Sequence, residues 1–251
     1  MANILDGKKI SQSVKDQLKI KVKDFEEKYG RKITLAVILV GENPASQVYV
    51  KNKITATEYV GMKSLSFYLP ENATEQDVEQ TILSLANDNS VDGILVQLPL
   101  PKHLDENKIL SLIPAQKDVD GFLAENVGNL MLGLSTTVAC TPFGVLKMLQ
   151  SENIELSGKN AVVLGRSNIV GKPMAMLLLK ENCTVTICHS RTKNLKEMCL
   201  QADIIVAAAG KHNLNRQIGA VRLFWQDFPL ANIGCIKIFL YICNERIHFK
   251  H

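Results

Sequence analysis

Short apolar runs alternate with helical stretches along most of the chain. The apolar runs predict strands at 35–40, 65–69, 94–98, 161–164, 184–188 and 204–208. The stretches between them predict helices at 8–29, 47–60, 75–86, 105–112 and 141–150, from 172 onward, and at 195–200. Continuous apolar strands that alternate with helices are typical of parallel sheets covered on both faces. The fold class is therefore α/β.

Capping residues predict where three of these helices begin. Ser46 is expected to cap the second helix, and Thr74 the third, with Asp77 completing a capping box. Thr141 followed by Pro142 predicts the start of the helix at 141–150, because proline suits a first helical turn.

The pattern forms two successive α/β series, with a boundary near residues 139–142. We therefore expect two domains, 1–139 and 140–251, with a ligand cleft between them. Ligands of such sheets bind beyond the carboxyl ends of the strands. The polar stretches that follow the strands are the candidate site segments, at 41–46, 97–101, 165–168, 189–192 and 209–210.

Composition narrows the function classes. The chain has 251 residues and a net charge of +4, and its basic residues are scattered, which gives no case for nucleic acid. Its six cysteines lack a C-x-x-C motif or metal-ligand spacing, so we expect reduced, mostly buried thiols and no metal. The N-terminus has no signal-peptide core. The apolar run at 233–243, interrupted by Lys237, is shorter than the ~20 residues that span a bilayer. We expect a cytoplasmic protein without a membrane segment.

The segment from Gly165 to Gly171 resembles a dinucleotide-binding turn. A glycine-bounded turn lies between an apolar strand and a helix, where backbone N–H groups can approach a pyrophosphate. Ser167 stands where the second glycine of G-x-G-x-x-G would be, so an ordinary strand-to-helix turn is an equal alternative. After the next strand come a histidine, Ser190 and an arginine, with no acid for a ribose 2′-hydroxyl. With Arg166 nearby, this favours NADP over NAD.

Two other segments carry candidate chemistry. Tyr49 and Lys53 are four residues apart on one helical face, where a ring can stack on a flat substrate and an amine can transfer a proton. A solvated helix edge is the alternative, and Lys51 is the natural control. Gln97 ends an apolar strand, where its amide either positions a substrate, orients Lys53 or satisfies loop backbone.

Two carboxylates two residues apart, Asp118 and Asp120, precede a glycine in K-D-V-D-G. One of them can accept paired N–H groups from an aminopyrimidine-like ring. The alternative is a turn with solvated aspartates.

These motifs occur together and in a fixed order. The sequence thereby resembles the bifunctional methylenetetrahydrofolate dehydrogenase/methenyltetrahydrofolate cyclohydrolase family, the FolD type. The resemblance is carried by ILDGK at 4–8, VGENPASQVYVKNK at 40–53, DGILVQLPLP at 92–101, KDVDGF at 117–122, TPFG at 141–144, VVLGRSNIVGKPM at 162–174, TVTICHSRT at 184–192 and ADIIVAAAGK at 202–211. The set is highly specific and extends to about residue 211.

The resemblance implies a folate-binding catalytic domain at 1–139 and a Rossmann-type NADP-binding domain at 140–251, with homodimers formed through the second domain. It implies oxidation of 5,10-methylenetetrahydrofolate with NADP⁺, and hydrolysis of the product to 10-formyltetrahydrofolate. These reactions belong to one-carbon metabolism and purine biosynthesis.

The same resemblance implies roles for individual residues. Lys53 would handle protons with support from Gln97, and Tyr49 would stack on the folate ring. Asp120 would hold the pterin, and Leu98 would contact the substrate. Arg166 and Ser190 would contact the 2′-phosphate of NADP. The residues that would line the cofactor turn are Gly165, Ser167, Ile169 and Gly171.

Residues 212–251 depart from the family pattern. The family continues with a strand ending in D-V-G, a loop of the P-G-G-V-G-P type and a C-terminal helix, and the segment 212–251 contains none of these motifs. We interpret the change as a shifted reading frame or an altered gene end. Two function classes therefore remain: the bifunctional folate enzyme, and a catalytically defective relative that only binds nucleotide or dimerises.

Overall fold

The computed structural model of the chain describes residues 6–208 and the backbone of a strand at Phe239–Ile242. The described residues divide into two compact units. One is formed by residues 11–126, and the other by residues 127–208 with residues 6–10 and the strand Phe239–Ile242. The domain boundary between 139 and 140 stays a prediction. The divergent segment 212–251, with Cys235 and Cys243, lies outside the described residues apart from that strand.

The unit of residues 11–126 is built on a three-stranded parallel sheet. Strand β1 (Thr34–Val40) lies in the centre, between β2 (Lys63–Leu69) and β3 (Gly93–Val96). Its helices are α1 (Gly7–Tyr29) from residue 11 onward, α2 (Pro44–Tyr59), α3 (Glu75–Asn87) and α4 (Glu106–Leu110), followed by a 3₁₀ turn at Ala115–Lys117. Helix α5 (Ala124–Met131) spans the division between the two units.

Strands β1 and β3 are buried on both faces, which explains why they lack an apolar–polar alternation, whereas β2 exposes Lys63, Ser66 and Tyr68. On one face Ile38 and Ile94 pack with Ile82 of α3 and Ile109 of α4. On the other face a smaller cluster forms, made up of Val37, Leu39, Val50 and Leu95. Burial of these side chains contributes the main stabilisation of the unit, about 1.5–3 kcal/mol for each large aliphatic residue.

The second unit contains a four-stranded sheet in the order β5, β4, β6, β7. Its elements are α6 (Cys140–Ser151), β4 (Asn160–Leu164), α7 (Gly171–Lys180), β5 (Thr184–Cys188), α8 (Leu195–Leu200), β6 (Ile204–Ala207) and β7 (Phe239–Ile242). Strands β4, β5 and β6 are parallel, and β7 pairs antiparallel with β6. Leu149, Met174 and Leu178 pack with Ile204 at the centre of its core.

The predicted α/β class with two domains and parallel sheets is confirmed. Each predicted strand is present within two residues of its expected ends, and the capping box of Thr74 with Asp77 is formed. Cys183, Cys188 and Cys199 are buried, whereas Cys140 is exposed. Of the described helices, none combines the length and apolar content that crossing a bilayer requires.

Two predicted helix starts are wrong. Asn43, not Ser46, caps α2: its Oδ1 accepts hydrogen bonds from the N–H groups of Ala45 and Ser46, at 3.0 and 3.2 Å. Asn followed by proline at the first position is the stronger start signal, and Ser46 is buried inside the helix. Helix α6 begins at Cys140, after Ala139, so Thr141 lies within its first turn.

Helix α1 shows a limit of the periodicity argument. Its length agrees with the prediction. Val14, Leu18 and Val22 follow one another at a helical spacing of four and would share one face, but only Val22 is buried, whereas Val14 and Leu18 are exposed. Helix α5 was missed, because its eight residues include Gly128 and show only a short apolar stripe.

Candidate functional site

Helix α2 leaves the carboxyl end of β1 and carries both candidate residues of the first site. Tyr49 and Lys53 lie one turn apart, and both are partly buried, whereas Lys51 is exposed. The Nζ atom of Lys53 donates a hydrogen bond to Oε1 of Gln97 at 3.2 Å. The lysine is therefore directed to the end of the neighbouring strand, which a solvated helix edge does not explain.

Gln97 directly follows β3 and is 3% exposed. Its backbone N–H donates to the carbonyl of Ile38, at 2.8 Å, which extends the pairing between β1 and β3. Its side-chain Nε2 donates to the carbonyl of Leu98, at 2.7 Å. The amide thus fulfils two of the predicted alternatives together, because one end orients Lys53 and the other satisfies loop backbone.

The aspartates of K-D-V-D-G are not solvated, so the alternative of an exposed turn is wrong for this segment. Asp118 is 4% exposed, and its carboxylate accepts hydrogen bonds from the N–H groups of Gly121 and Leu123, both at 3.0 Å. Asn126 adds a third donor through Nδ2, at 2.9 Å. Asp120 is partly buried between these anchored neighbours.

The electrostatics of Asp120 follow from its position. Burial raises the pKa of its carboxyl above the ordinary value, because the charged form loses contact with water. The nearby ammonium of Lys53 opposes this shift, and the negative charge of Asp118 adds to it. Lys53, which is bonded to Gln97, is therefore close enough to Asp120 to affect its carboxyl.

Sequence reasoning missed the residues that fix this segment. The sequence marks Asp118 only as one of two carboxylates, and it does not point to Asn126, because the pattern does not predict helix α5, which carries this residue. Lys117 was also missed: its ammonium donates to the carbonyls of three residues at the end of α3, at 2.7–3.1 Å, namely Leu85, Ala86 and Asp88. A helix prediction for 124–131 is the one signal that would have suggested Asn126 as a partner.

The turn between β4 and α7 is tight at both glycines. Gly165 has φ +130°, and a Cβ atom on it would lie 2.5 Å from the carbonyl oxygen of Ala208. A Cβ atom on Gly171 would overlap the carbonyl oxygen of Gly165. Only glycine fits these two positions, so the segment is a closely packed turn of the kind that lets backbone approach a phosphate.

Ser167 accepts hydrogen bonds from backbone N–H groups at the start of α7. Its Oγ accepts from the N–H groups of Val170 and Gly171, at 3.2 and 3.3 Å, and its carbonyl accepts from the N–H of Lys172, at 3.0 Å. Pro173 has no N–H. The N–H groups of Gly171 and Lys172 at the start of α7 are therefore bonded to Ser167.

Arg166 and Ser190 follow the carboxyl ends of two neighbouring strands of this sheet, β4 and β5. Leu164 and Cys188 are paired at the ends of β4 and β5, and the two candidate residues each follow two positions later. Both side chains are exposed. The turn after β5 is fixed by the N–H of His189, which donates to Oγ1 of Thr192, at 2.9 Å. Within residues 189–192 there is no carboxylate to bind a ribose 2′-hydroxyl. Ile169 is partly buried in the turn that precedes α7.

Within the part of the chain that the structure describes, no group of three His, Cys, Asp or Glu side chains is placed to hold a metal ion. One α/β unit with a lysine, an amide and a buried carboxyl at its strand ends, and another with a glycine-bounded turn, define a two-domain, nucleotide-dependent enzyme class.

Comparison with known proteins places the chain within this class. Residues 5–120 match the catalytic domain of tetrahydrofolate dehydrogenase/cyclohydrolase, and residues 139–218 match its NAD(P)-binding domain. The chain belongs to the tetrahydrofolate dehydrogenase/cyclohydrolase family.

Individual relatives agree with this assignment. The chain is 53% identical over 211 residues to the "Bifunctional protein FolD" of Agathobacter rectalis. The matched stretch covers 84% of this chain and 75% of that protein. The crystal structure of the bifunctional FolD from Campylobacter jejuni superposes with a TM-score of 0.81 at 51% identity, covering 84% and 75% of the two chains. The FolD of Trypanosoma brucei, solved with NADP and an inhibitor, gives a TM-score of 0.79 at 36% identity, covering 84% and 72%.

Proposed function

We infer that the chain is a bifunctional enzyme of one-carbon metabolism. It oxidises 5,10-methylenetetrahydrofolate to 5,10-methenyltetrahydrofolate with NADP⁺, and it then hydrolyses the methenyl group to give 10-formyltetrahydrofolate. The observation that supports this inference most strongly is the hydrogen bond between Lys53 and Gln97 beside Asp120, in a segment that matches the family's catalytic domain. An amine, an amide and a partly buried carboxyl at adjoining strand ends suit proton transfer on a polar ring system.

The oxidation step needs no proton donor at the reacting carbon. A hydride leaves the methylene bridge and reaches the nicotinamide of NADP⁺, and the product is a methenyl cation whose charge is spread over two nitrogens. The protein has to orient the folate and exclude water. In this proposal Tyr49 stacks on the flat ring and Leu98 contacts it, because both follow strand ends of the same sheet.

The hydrolysis step does require proton transfer. Water adds to the methenyl carbon and loses a proton, and the ring then opens when one nitrogen gains a proton and its bond to the carbon breaks. We assign the proton handling to Lys53. Gln97 supports it, because a buried amide whose other end is bonded to Leu98 has little freedom to turn away from the lysine.

The carboxyl of Asp120 is assigned to recognition of the pterin. An aminopyrimidine edge presents two parallel N–H donors, which a carboxylate accepts as a pair. A carboxyl whose pKa is raised by burial gains the most from such partners, because they replace the water that burial removed.

The cofactor side of the proposal rests on charge. Arg166 and Ser190 would hold the 2′-phosphate of NADP. Both are exposed beyond the carboxyl ends of β4 and β5, and no acid lies in the turn after β5. Ser167, Ile169 and the two glycines of the turn would line the cofactor. The tight approach at Gly165 and Gly171 fits the backbone-to-phosphate contact that a dinucleotide requires.

Purified protein assayed with 5,10-methylenetetrahydrofolate tests this function. With NADP⁺ we expect NADPH to form and 10-formyltetrahydrofolate to accumulate, and with NAD⁺ we expect a lower rate. The matched control is the same assay with 5,10-methenyltetrahydrofolate and no cofactor, which isolates the hydrolysis. Absence of both products would contradict the proposal.

One observation supports a second candidate function, that of a catalytically defective relative. The matched stretch covers 75% of the length of the Agathobacter relative, and residues 212–251 lack the folate-side motifs of the family. A catalytically defective relative that only binds nucleotide or dimerises would show no turnover, yet NADP would raise its melting temperature. Turnover together with NADP protection excludes this alternative.

Homodimer formation through the second domain, a cytoplasmic location and a supply role for purine biosynthesis are also proposed, on the family resemblance. Light scattering coupled to size exclusion tests the first of these. We expect the mass of two chains.

A further inference from the structure

We propose that Asp118 is a positioning residue that holds Asp120 in place for the folate. The proposal rests on the function inferred above, in which Asp120 binds the pterin. Asp118 itself is 4% exposed, so its role is exerted through the segment that it anchors.

The carboxylate of Asp118 closes the segment on its C-terminal side. Oδ1 accepts from the N–H of Gly121, and Oδ2 accepts from the N–H of Leu123 and from Nδ2 of Asn126. Gly121 has φ +66°, which lets the chain reverse toward the carboxylate. A buried carboxylate is tolerated because three donors replace its water. The residue after Asp120 is therefore fixed by a direct bond to Asp118.

The N-terminal side of the segment is anchored to the sheet. Asp118 forms a parallel bridge with Ile94 of β3. Val119 packs so closely over Gly93 that a Cβ atom on the glycine would overlap its Cγ1. The ammonium of Lys117 is bonded to three carbonyls at the end of α3. Asp120 thus lies between two anchored neighbours, Val119 and Gly121, and close to the Lys53 that is bonded to Gln97.

The protonation of Asp120 also depends on Asp118. The negative charge of Asp118 adds to the effect of burial in raising the pKa of Asp120, while Lys53 acts in the opposite direction. Loss of the anchor would release Asp120 toward water, away from the geometry in which the pair of carboxylate oxygens meets two ring donors.

The variant Asp118→Asn tests the proposal. An amide has one acceptor oxygen, so its Nδ2 would face either the N–H of Gly121 or the donors of Leu123 and Asn126, and at least one bond is lost. We expect the Kd for tetrahydrofolate, measured by calorimetry, to rise at least about tenfold. The Kd for NADP should stay within about twofold of the wild type.

Asp92→Asn is the matched control. Asp92 lies in the same unit and likewise accepts a backbone N–H, from Thr34 at 2.8 Å, together with the guanidinium of Arg31 at 2.6 and 2.8 Å. The same exchange of carboxylate for amide should lower the melting temperature and leave the Kd for tetrahydrofolate unchanged. Equal Kd values for wild type, Asp118→Asn and Asp92→Asn would overturn the proposal, and so would an equal rise in both variants.

Amide hydrogen exchange in the ligand-free chain separates this proposal from the inferred function. Exchange at Gly121 and Leu123 should be at least about tenfold faster in Asp118→Asn and unchanged in Asp92→Asn. If wild-type protein does not bind tetrahydrofolate, the inferred function is contradicted. If exchange at Gly121 and Leu123 is unchanged in Asp118→Asn, the anchoring role is contradicted.

Asn126→Ala keeps the test available if Asp118→Asn does not fold. It removes one donor from Asp118 and leaves the two backbone donors in place. A smaller rise in the Kd for tetrahydrofolate is expected in this variant. A Kd equal to that of the wild type would count against the proposal.

Discussion

The strand ends of the two units prepare for a ligand in different ways. In residues 11–126 the side chains are fixed: Lys53 is bonded to Gln97, and Asp118 accepts three hydrogen bonds. In residues 127–208 the candidate side chains Arg166 and Ser190 are exposed, and the turn that contains Gly165 and Gly171 is what is tightly constrained.

The difference corresponds to what each ligand demands. Proton transfer at one atom requires side chains held to a fraction of an ångström, and the bonds among buried groups supply that precision. A pyrophosphate is common to all dinucleotides and requires a backbone that comes close, while one exposed charge decides between NADP and NAD. Polar substitutions in the first unit should therefore alter chemistry, and added atoms in the second unit should alter the fold.

Gly171→Ala tests the backbone half of this comparison and should have the largest effect on stability. The new Cβ would overlap the carbonyl of Gly165, which cannot move without distorting the turn. We expect the free energy of unfolding to fall by about 3 kcal/mol or more. Thermal unfolding with and without NADP should also show that the cofactor no longer protects the variant.

Gly128→Ala is the matched control for that substitution. Gly128 also lies in a helix, but a Cβ atom on it would have no atom within 4 Å. Alanine is the better helix former, so this variant should gain up to about 0.5–1 kcal/mol. Similar losses in both variants would refute the idea that the turn requires glycine at position 171.

Arg166→Ala tests the charge that is assigned to the 2′-phosphate. Loss of a charge-assisted bond to the 2′-phosphate is worth about 1.5–3 kcal/mol, so the Kd for NADP should rise roughly ten- to hundredfold. The Kd for NAD should change little. Arg191→Ala is the control, because it removes another exposed arginine in the turn after β5. A matched weakening of NADP and NAD by Arg166→Ala would rule out a 2′-phosphate contact.

Asp120→Asn should have the smallest effect, and its sign is the informative part. The folded state raises the pKa of this carboxyl, so folding favours its neutral form. The stability that this shift contributes is complete below the unfolded pKa and is lost as the pH rises through the folded pKa. A permanently neutral amide should therefore raise the melting temperature at pH 7. The gain should shrink as the pH falls below the folded pKa and vanish below the unfolded pKa.

The opposite result at Asp118 sharpens this prediction. Asp118→Asn removes hydrogen bonds from a buried anchor and should lower the melting temperature, although the two aspartates are only two residues apart. Destabilisation by both variants at pH 7 would mean that burial does not dominate at Asp120.

The sequence predicts the sheets well and the anchoring contacts poorly. Continuous apolar runs such as 35–40 and 161–164 specify buried parallel strands, because no other element buries both faces of so short a segment. The polar ends of those strands, with Lys53 and Gln97, follow from the rule that ligands bind beyond the strand ends. Motif order along the chain then adds the family.

The remaining contacts depend on tertiary structure. Asn43 rather than Ser46 caps α2, because the proline after Asn43 decides where the helix begins. The burial of Asp118 depends on helix α5, whose Asn126 supplies a donor from eight residues away. No local pattern in K-D-V-D-G distinguishes an anchored carboxylate from a solvated one, so the two alternatives could be separated only by the structure.

The central claim is that Lys53 performs the proton transfers of a folate enzyme, and Lys53→Met tests it most directly. Methionine keeps the length of the side chain and removes the ammonium. The measurement is cyclohydrolase turnover of 5,10-methenyltetrahydrofolate, alongside the Kd for NADP, in this variant and in Lys51→Met. The account predicts that Lys53→Met loses turnover by at least about a hundredfold while its NADP affinity is retained, and that Lys51→Met resembles the wild type. Equal turnover in the two variants would contradict it.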